Sequence, residues 1–297
     1  MVIGLGELLW DDFPDGKRAG GAPANVAFQA NQLGCQGLVA SRIGTETSGD
    51  ELLDELTGRN LDVSLIQRDP DHPTGRVTVE LRQGIPAYQI HEDVAWDYLE
   101  LNDELRSAMS QAAAVCFGTL AQRNAVSRTT IQEAVALTSK DCLRVYDVNL
   151  RQRFYQSGWI RTSLQLANIV KLNDEEVHEL GPILGLPEDE KEFALNLCHL
   201  FGTQIVCITR GAEGCLIVTK TESHEIPGRP VKVADTVGSG DAFTAAFITG
   251  QLKGWSLARS GEFANRVGGM VASRQGAMPD LQREFEQLLA QYTPEPA

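Results

Sequence analysis

The feature that most constrains the fold is a regular alternation of two kinds of segment after residue 102. Short apolar runs, typical of buried strands, lie at residues 115–117, 143–148, 169–172 and 205–209. Between them lie segments whose apolar residues have helical spacing, at 104–113, 129–138, 175–180 and 192–201. Because the apolar runs do not alternate with polar residues, both faces of each strand are expected to be covered. The pattern predicts an α/β fold, a mostly parallel sheet with helices on both faces, in one domain over residues 1–297.

Polar motifs follow these predicted strands. They read Asp147-x-Asn149-x-Arg151, Lys171-x-Asn173-x-x-Glu176 and Thr209-Arg210-Gly211-x-x-Gly214, and a fourth runs from Asp235 to Asp241. Any one of them has a local explanation, since Asn173 with Glu176 reads as a helix capping box. Four in succession at one edge of a sheet indicate a ligand site, because ligands of such sheets bind at the carboxyl ends of the strands.

The fourth motif contains a glycine turn that leads into a buried helix. Gly238 and Gly240 flank Ser239, so the backbone can adopt positive φ and a ligand can approach closely. The free N–H groups of a helix N-terminus form an anion site, for which phosphate is the usual occupant. Asp241 then lies in the first turn. It either stabilises the helix dipole or accepts a proton from an attacking hydroxyl, and the motif alone leaves both interpretations open.

A second glycine pair, Gly20-Gly21, precedes another predicted helix. Pro23 suits the first turn of that helix, and Asn25 offers a donor and an acceptor to a hydroxyl group. The alternative is a tightly packed corner in which Asn25 is hydrogen-bonded internally. Residues 11–18, just before it, form a polar stretch with turn chemistry.

A hairpin is predicted at residues 76–90. Residues 76–81 alternate apolar and polar, and 86–90 follow after Gln83-Gly84, which predicts one solvated face. We expect a small sheet that projects from the main body as a lid or a dimer surface, or else a plain edge hairpin.

Composition narrows the partners and the compartment. The net charge of −14 argues against nucleic acid and anionic membranes as partners, and requires local positive groups around any phosphate. Neither a signal peptide nor an apolar run of membrane-spanning length is evident, so a cytoplasmic protein is expected. The six cysteines form no C-x-x-C pair, which favours buried thiols over disulfides or zinc ligands. Gly4-x-Gly6 lacks the third glycine of a dinucleotide fingerprint, which argues against an oxidoreductase.

Taken together, these motifs resemble the ribokinase-like (PfkB) carbohydrate kinases over the whole chain. Gly20-Gly21-x-x-x-Asn25 and Asp235-Thr236-x-Gly238-x-Gly240-Asp241 correspond to the two signatures of that family, with Ser239 where alanine is common. The Gly6-Glu7 start and Ala95-Trp96-Asp97 are most similar to bacterial fructokinases. The resemblance implies a ribokinase-like fold and ATP-dependent phosphorylation of a sugar, with D-fructose first.

Three alternatives stay open. One is a kinase for ribose or a nucleoside, and another is a kinase for a sugar acid such as 2-keto-3-deoxygluconate. The sugar acid would need a basic residue at the sugar site, for which Lys17, Arg18 and Arg82 are candidates. The third, from a different class, is a non-catalytic sensor of sugar or nucleotide on the same fold.

The resemblance also implies roles for individual residues. Asp241 would be the catalytic base, beside an anion hole formed by the backbone N–H groups of residues 237–241, including Gly238, Ser239 and Gly240. The sugar would be held by Asp11, Gly20, Gly21, Asn25 and Arg151. The nucleotide would be bound by Asn173, Thr209, Gly211, Gly214, Gly238, Gly240 and Asn265. Mg²⁺ would be held through water by Asn173 and Glu176, and a monovalent cation such as K⁺ by Asp235, Val237 and Gly276. The lid would comprise roughly residues 10–20 and 73–97, with a homodimer formed through it. The sequence does not rank Arg151, Arg153 and Arg210 as phosphate ligands.

Overall fold

A nine-stranded sheet forms the centre of the protein. The computed structural model describes residues 1–14, 16–82 and 85–292, with 79–82 and 85–87 described through their backbone alone. Within this part the strand order is β13-β12-β11-β10-β9-β8-β1-β4-β5, and all neighbours pair in parallel except β11–β12 and β12–β13. The strands are β1 (Val2–Leu5), β4 (Gly37–Gly44), β5 (Ile66–Asp69), β8 (Ala114–Phe117), β9 (Leu143–Asp147), β10 (Ile169–Asn173), β11 (Ile205–Thr209), β12 (Gly214–Val218) and β13 (Ser223–Pro227).

Helices cover both faces of this sheet, as the alternation predicts. Side chains of successive strand residues point to opposite faces, so Ile3 belongs to an apolar cluster with residues of α3 to α7, while Val2 belongs to a second cluster with residues of α1, α8, α9 and α10. The helices are α1 (Ala22–Gln32), α2 (Thr47–Gly58), α3 (Asp103–Gln111), α4 (Ala125–Ala136), α5 (Ser157–Leu166), α6 (Asp174–Leu184), α7 (Glu190–Phe201), α8 (Ser239–Leu252), α9 (Leu257–Ala272) and α10 (Gln282–Leu289).

A second, four-stranded sheet contains the predicted hairpin. Its order is β3-β2-β6-β7, with β6 at Gly75–Arg82 and β7 at Ile85–Ile90. The turn predicted at Gln83-Gly84 lies outside the described residues. Residues 11–18 were expected to be a polar turn stretch. This expectation is wrong for residues 11–13 and 16–18, which belong to the antiparallel strands β2 (Leu9–Phe13) and β3 (Gly16–Gly20), whereas Pro14 lies in a turn. β2 also pairs in parallel with β6, a long-range contact that the local sequence does not encode.

The predicted strand-end motifs lie side by side at one edge of the large sheet. Lys171 on β10 is in register with Asp147 on β9, and Asn173 is in register with Thr209 on β11. Parallel pairing brings these carboxyl ends together, as the sequence predicts. The six cysteines are all free, as expected.

Candidate functional site

The glycine turn opens α8 at the same sheet edge. Gly238 caps the helix with φ of 77°, in the left-handed region, and a Cβ at this position would lie 2.6 Å from the Cα of Ala277. Both the backbone conformation and the neighbouring chain therefore require glycine here. Asp241 occupies the first turn of α8, and its side chain is buried.

The anion hole predicted over residues 237–241 is narrower in the structure. The Val237 N–H donates to Asp235 Oδ1 over 3.0 Å, and the Ser239 N–H donates to Thr236 O over 3.2 Å, so these two groups are paired within the protein. The N–H groups of Gly238, Gly240 and Asp241 have no acceptor in the part of the chain that the structure describes. Together with the positive end of the α8 dipole, they can bind an anion.

Asp241 contacts the second glycine motif. Asn25, in the first turn of α1, donates from Nδ2 to Asp241 Oδ2 over 2.7 Å, while its own Oδ1 is buried and has no partner among the described residues. Gly21 precedes the helix with φ of 114°, and a Cβ there would lie 2.4 Å from the carbonyl oxygen of Glu7. A Cβ on Gly20 would lie 2.2 Å from Asp11 Oδ2. Of the predicted sugar set, Asn25 thus contacts Asp241 directly, and Asp11 lies against Gly20 in the glycine pair that precedes the Asn25 helix.

Arg151 completes this cluster. The Arg151 charge lowers the pKa of Glu7, Asp11 and Asp241, so its side chain lies within electrostatic range of all three. The two other arginines that the sequence could not rank are engaged elsewhere: Arg153 with Glu92, and Arg210 with Glu190. Arg151 is therefore the best placed of the three.

Three carboxyl groups of this cluster have raised pKa values. Burial, together with the nearby Asp147 carboxylate, raises the pKa of Asp241 to about 6, against the Asn25 hydrogen bond and the charges of Lys171 and Arg151. Burial likewise raises the pKa of Asp11 to about 6 and that of Glu7 to about 7. A carboxyl group that titrates near neutral pH is suited to general base catalysis.

Asn173 and Glu176 form the predicted capping box at the start of α6. Asn173 Oδ1 accepts the Glu176 N–H over 2.7 Å, and Glu176 Oε2 accepts the Asn173 N–H over 2.8 Å. Glu176 Oε1 also accepts the Leu150 N–H over 2.7 Å. Each carboxylate oxygen keeps one further lone pair, so this donor set fits a metal held through water better than one bound directly. Among the described residues, no three His, Cys, Asp or Glu side chains are grouped as metal ligands.

A cavity of about 270 Å³ adjoins the α8 turn. Five residues predicted for nucleotide line it, and so does Ser239 of the turn. The five are Thr209, Gly211, Gly214, Gly240 and Asn265, whereas Asn173 and Gly238 of the predicted set are not part of the lining. The sequence did not assign the rest of the lining, including Val231, Val233, Phe243, Gly268 and Ala272, because these residues are apolar or small and carry no motif.

Asp235 joins two loops beside the turn. Its Oδ1 accepts the Val237 N–H, and its Oδ2 accepts the Gly276 N–H over 3.0 Å. The three residues predicted for a monovalent cation are therefore adjacent.

Three buried polar residues near Asp241 received no role from the sequence. Glu7 follows β1, Asp147 ends β9 and Lys171 lies near the end of β10, and all three are almost fully buried. The sequence indicated only that these residues lie at or near strand ends. Their position predicts that they are close to the site, but it does not predict which residues they contact. Within the described chain, no helix is both long and apolar enough to span a bilayer.

Comparisons with known proteins agree with this geometry. A family model described as "pfkB family carbohydrate kinase" matches residues 14–283. The chain is 32% identical to a protein named as a sugar kinase, PH1459, of Pyrococcus horikoshii, over 93% of this chain and 91% of the relative. A crystal structure of that protein in complex with ATP superposes with a TM-score of 0.82, covering 96% of this chain and 100% of the other at 30% identity.

Two more distant relatives are named for different kinase activities. An ATP-dependent 6-phosphofructokinase of Thermoanaerobacterium thermosaccharolyticum is 27% identical, over 94% of this chain and 90% of the relative. A fructokinase of Escherichia coli is 28% identical, over 93% of this chain and 94% of the relative. The matches thus agree on the fold and on phosphoryl transfer, and differ in the acceptor.

Proposed function

Because the chain belongs to the pfkB family of carbohydrate kinases, we propose that it transfers the γ-phosphoryl group of ATP to a hydroxyl of a neutral sugar, with D-fructose converted to fructose 6-phosphate as the first candidate. The observation that carries this proposal is the placement of the buried Asp241 carboxylate beside the unpaired N–H groups of the α8 turn. A proton acceptor and an anion site in contact are what phosphoryl transfer to an alcohol requires.

In the proposed reaction Asp241 takes the proton of the sugar hydroxyl. The hydroxyl oxygen forms a bond to the γ-phosphorus while the bond from that phosphorus to the β–γ bridging oxygen breaks, and ADP leaves. The Gly240 and Asp241 N–H groups stabilise the negative charge on the transferred group. Asn25 donates to Asp241 Oδ2, which leaves Oδ1 to receive the proton.

Metal ions would assist at two places. Asn173 and Glu176 would hold Mg²⁺ through water, where it would neutralise charge on the nucleotide phosphates. Asp235, Val237 and Gly276 would hold a monovalent cation such as K⁺ beside the turn. The cavity lined by Thr209, Gly211, Gly214 and Asn265 would receive the nucleotide.

The charges of the sugar site support a neutral acceptor over a sugar acid or a sugar phosphate. Arg151 lowers the pKa of Glu7, Asp11 and Asp241, while Arg18 also lowers that of Asp11 and Lys171 that of Asp241. Burial outweighs these cations and keeps all three pKa values raised, at about 6 or 7. Another carboxylate or phosphate would add to this negative charge.

Three basic residues were candidates for binding an anionic acceptor. Two of them interact with other side chains, and the side chain of the third is not described. Lys17 is paired with Glu51, and the Arg18 guanidinium lies over the Phe13 ring. The side chain of Arg82 lies outside the described residues.

An ADP-release assay tests the acceptor. The purified protein is offered fructose, ribose, 2-keto-3-deoxygluconate, adenosine, inosine and fructose 6-phosphate with ATP and Mg²⁺. We expect the highest kcat/KM with fructose, and an Asp241→Asn preparation reports the background from contaminating kinases. A higher kcat/KM with an anionic acceptor or a nucleoside would overturn the neutral-sugar proposal. Binding of sugar and ATP without any turnover would favour the sensor.

We also propose that the small sheet acts as a lid and as the surface of a homodimer. β7 is an edge strand of that sheet, and Tyr88 on it is 52% exposed. Edge strands with exposed aromatic side chains are suited to pairing with a second copy. Light scattering after size exclusion, on the wild type and on Tyr88→Lys, tests the homodimer. A monomeric wild type would refute the homodimer.

A further inference from the structure

Lys171 and Asp147 lie beneath the α8 turn, and the reaction proposed above gives neither a role. Lys171 Nζ donates to Asp147 Oδ1 over 3.1 Å, and the two side chains are 10% and 4% exposed. Removing two charges from water is costly, so a buried ion pair is weak evidence of a stabilising function. Its location beside Asp241 therefore suggests a role in the site.

Asp147 connects this pair to the catalytic helix. Its second oxygen, Oδ2, accepts a hydrogen bond from Thr244 Oγ1 over 2.9 Å. The same hydroxyl lies 3.1 Å from the carbonyl oxygen of Gly240. One carboxylate thus links β9, β10 and the first two turns of α8.

Lys171 itself packs against the turn. A Cβ built on Gly240 would lie 3.1 Å from Lys171 Nζ, so the absence of a side chain at Gly240 makes room for the ammonium group. An ammonium has three donors, and Asp147 Oδ1 is its one acceptor among the described residues. A positive charge therefore lies next to Gly240, whose N–H group is open to an anion.

The surroundings of Asp241 contain more acid than base. Its neighbours are the carboxyl groups of Glu7 and Asp147, the cations Lys171 and Arg151, the amide of Asn25, the thiol of Cys116 and, facing Lys171, the carboxyl group of Glu176. We propose that Lys171 is a positioning residue of the phosphoryl-transfer site, whose ammonium, clamped by Asp147, balances the negative charge of Asp241 beneath the α8 turn. This inference rests on the proposed kinase function.

The direction of each influence makes the inference testable. Asp147 raises the pKa of Asp241, whereas Lys171 lowers it. Removing the ammonium should therefore raise the pKa of the base, and removing the Asp147 charge should lower it. A pair whose charges do not reach Asp241 would give no such opposite signs.

The experiment compares Lys171→Met, Asp147→Asn and the double variant. kcat/KM is measured from pH 5 to pH 9 with the best acceptor, because its acidic limb reports the base of the free enzyme. For Lys171→Met we expect the acidic limb to move to higher pH, so that kcat/KM falls about tenfold more at pH 5 than at pH 9, as a rise of one unit from a pKa of about 6 implies. Asp147→Asn should move the limb to lower pH, and the double variant should lie between the two.

Equal losses at every pH in both single variants would overturn the inference. If Lys171→Met does not fold, Asp147→Asn decides alone, and a limb that stays or moves upward refutes the proposal. Titration of the Asp241 carboxyl by carbon NMR, in the wild type and in each variant, needs no sugar. Expected shifts in that titration without sugar phosphorylation would contradict the proposed function and still support the charge balance between Lys171 and Asp241.

Discussion

Asn25 Nδ2 donates to Asp241 Oδ2 over 2.7 Å, joining two residues that are 216 positions apart in the sequence. This bond connects the first turn of α1 to the first turn of α8 and holds the proposed base in one orientation. It also joins the two glycine motifs, so the sugar set and the anion site meet at a single carboxylate.

Asp241→Asn should abolish most turnover while nucleotide binding survives. The amide keeps the shape of the carboxylate and cannot accept the proton, and general base catalysis is worth about 10²–10⁴-fold. We expect a loss of kcat of at least that size, with ATP affinity by calorimetry unchanged within about threefold, since the nucleotide cavity does not depend on this carboxylate. Near-normal kcat in the purified variant would contradict the assignment.

Asn25→Ala should make activity more sensitive to acid. The Asn25 hydrogen bond lowers the pKa of Asp241 from what burial would otherwise produce, so its loss raises that pKa above about 6. Because the base must be deprotonated, kcat/KM should fall more at pH 6 than at pH 8. Asn31→Ala is the matched control, since Asn31 lies on the same helix and bonds to Asn60 O, away from the site. Losses of the same factor at both pH values would refute this prediction.

Much of the fold could be predicted because its signals are local. Buried parallel strands and covering helices leave apolar runs and helical spacing in the sequence, and the strand-end motifs at Asp147, Lys171 and Thr209 are adjacent as expected. The residues 11–18 could not be placed from local chemistry. Their strands are specified by cross-strand pairs such as Asp11 with Arg18 and by the parallel pairing of β2 with β6.

The sequence predicted which residues form the site better than it predicted the hydrogen bonds between them. The glycines and Asn25 have motif spacing, so the sequence could indicate them. That the Val237 and Ser239 N–H groups are paired within the protein depends on how the turn closes, which no spacing encodes. The position of Lys171 against Gly240 likewise arises only when β10 and α8 pack together.

Gly238→Ala should cost both stability and activity. The backbone φ of 77° disfavours a Cβ, and that Cβ would also meet Ala277 at 2.6 Å, so the turn has to shift. Gly254→Ala is the matched control, because Gly254 has a similar φ of 72° and no atom within 4 Å of its Cβ.

Thermal unfolding and kcat measurements separate the two glycine variants. The conformational penalty alone is about 1–2 kcal/mol and should appear in both. Only Gly238→Ala should also lose ATP-dependent turnover, by at least about tenfold, since its turn carries the anion site. Equal activity in the two variants would show that the conformation of this turn does not matter for transfer.

Glu7→Gln should stabilise the protein at alkaline pH and have little effect in acid. Burial raises the pKa of Glu7 from 4.5 to about 7 in the folded state, so ionising it costs folding free energy as the pH rises from about 4.5 to 7. Below that window the carboxyl group is protonated in both states and the cost is absent. A shift of this size corresponds to roughly 3 kcal/mol, and the amide avoids this cost while still accepting the Ala22 N–H.

Urea unfolding at pH 5 and at pH 8 checks this prediction. The free energy of unfolding of the variant, relative to that of the wild type, should be higher at pH 8 than at pH 5. Glu133→Gln, at an exposed site on α4, is the control and should change stability little at either pH. A difference that stays constant or shrinks with pH would mean that Glu7 is not held against its charge by burial.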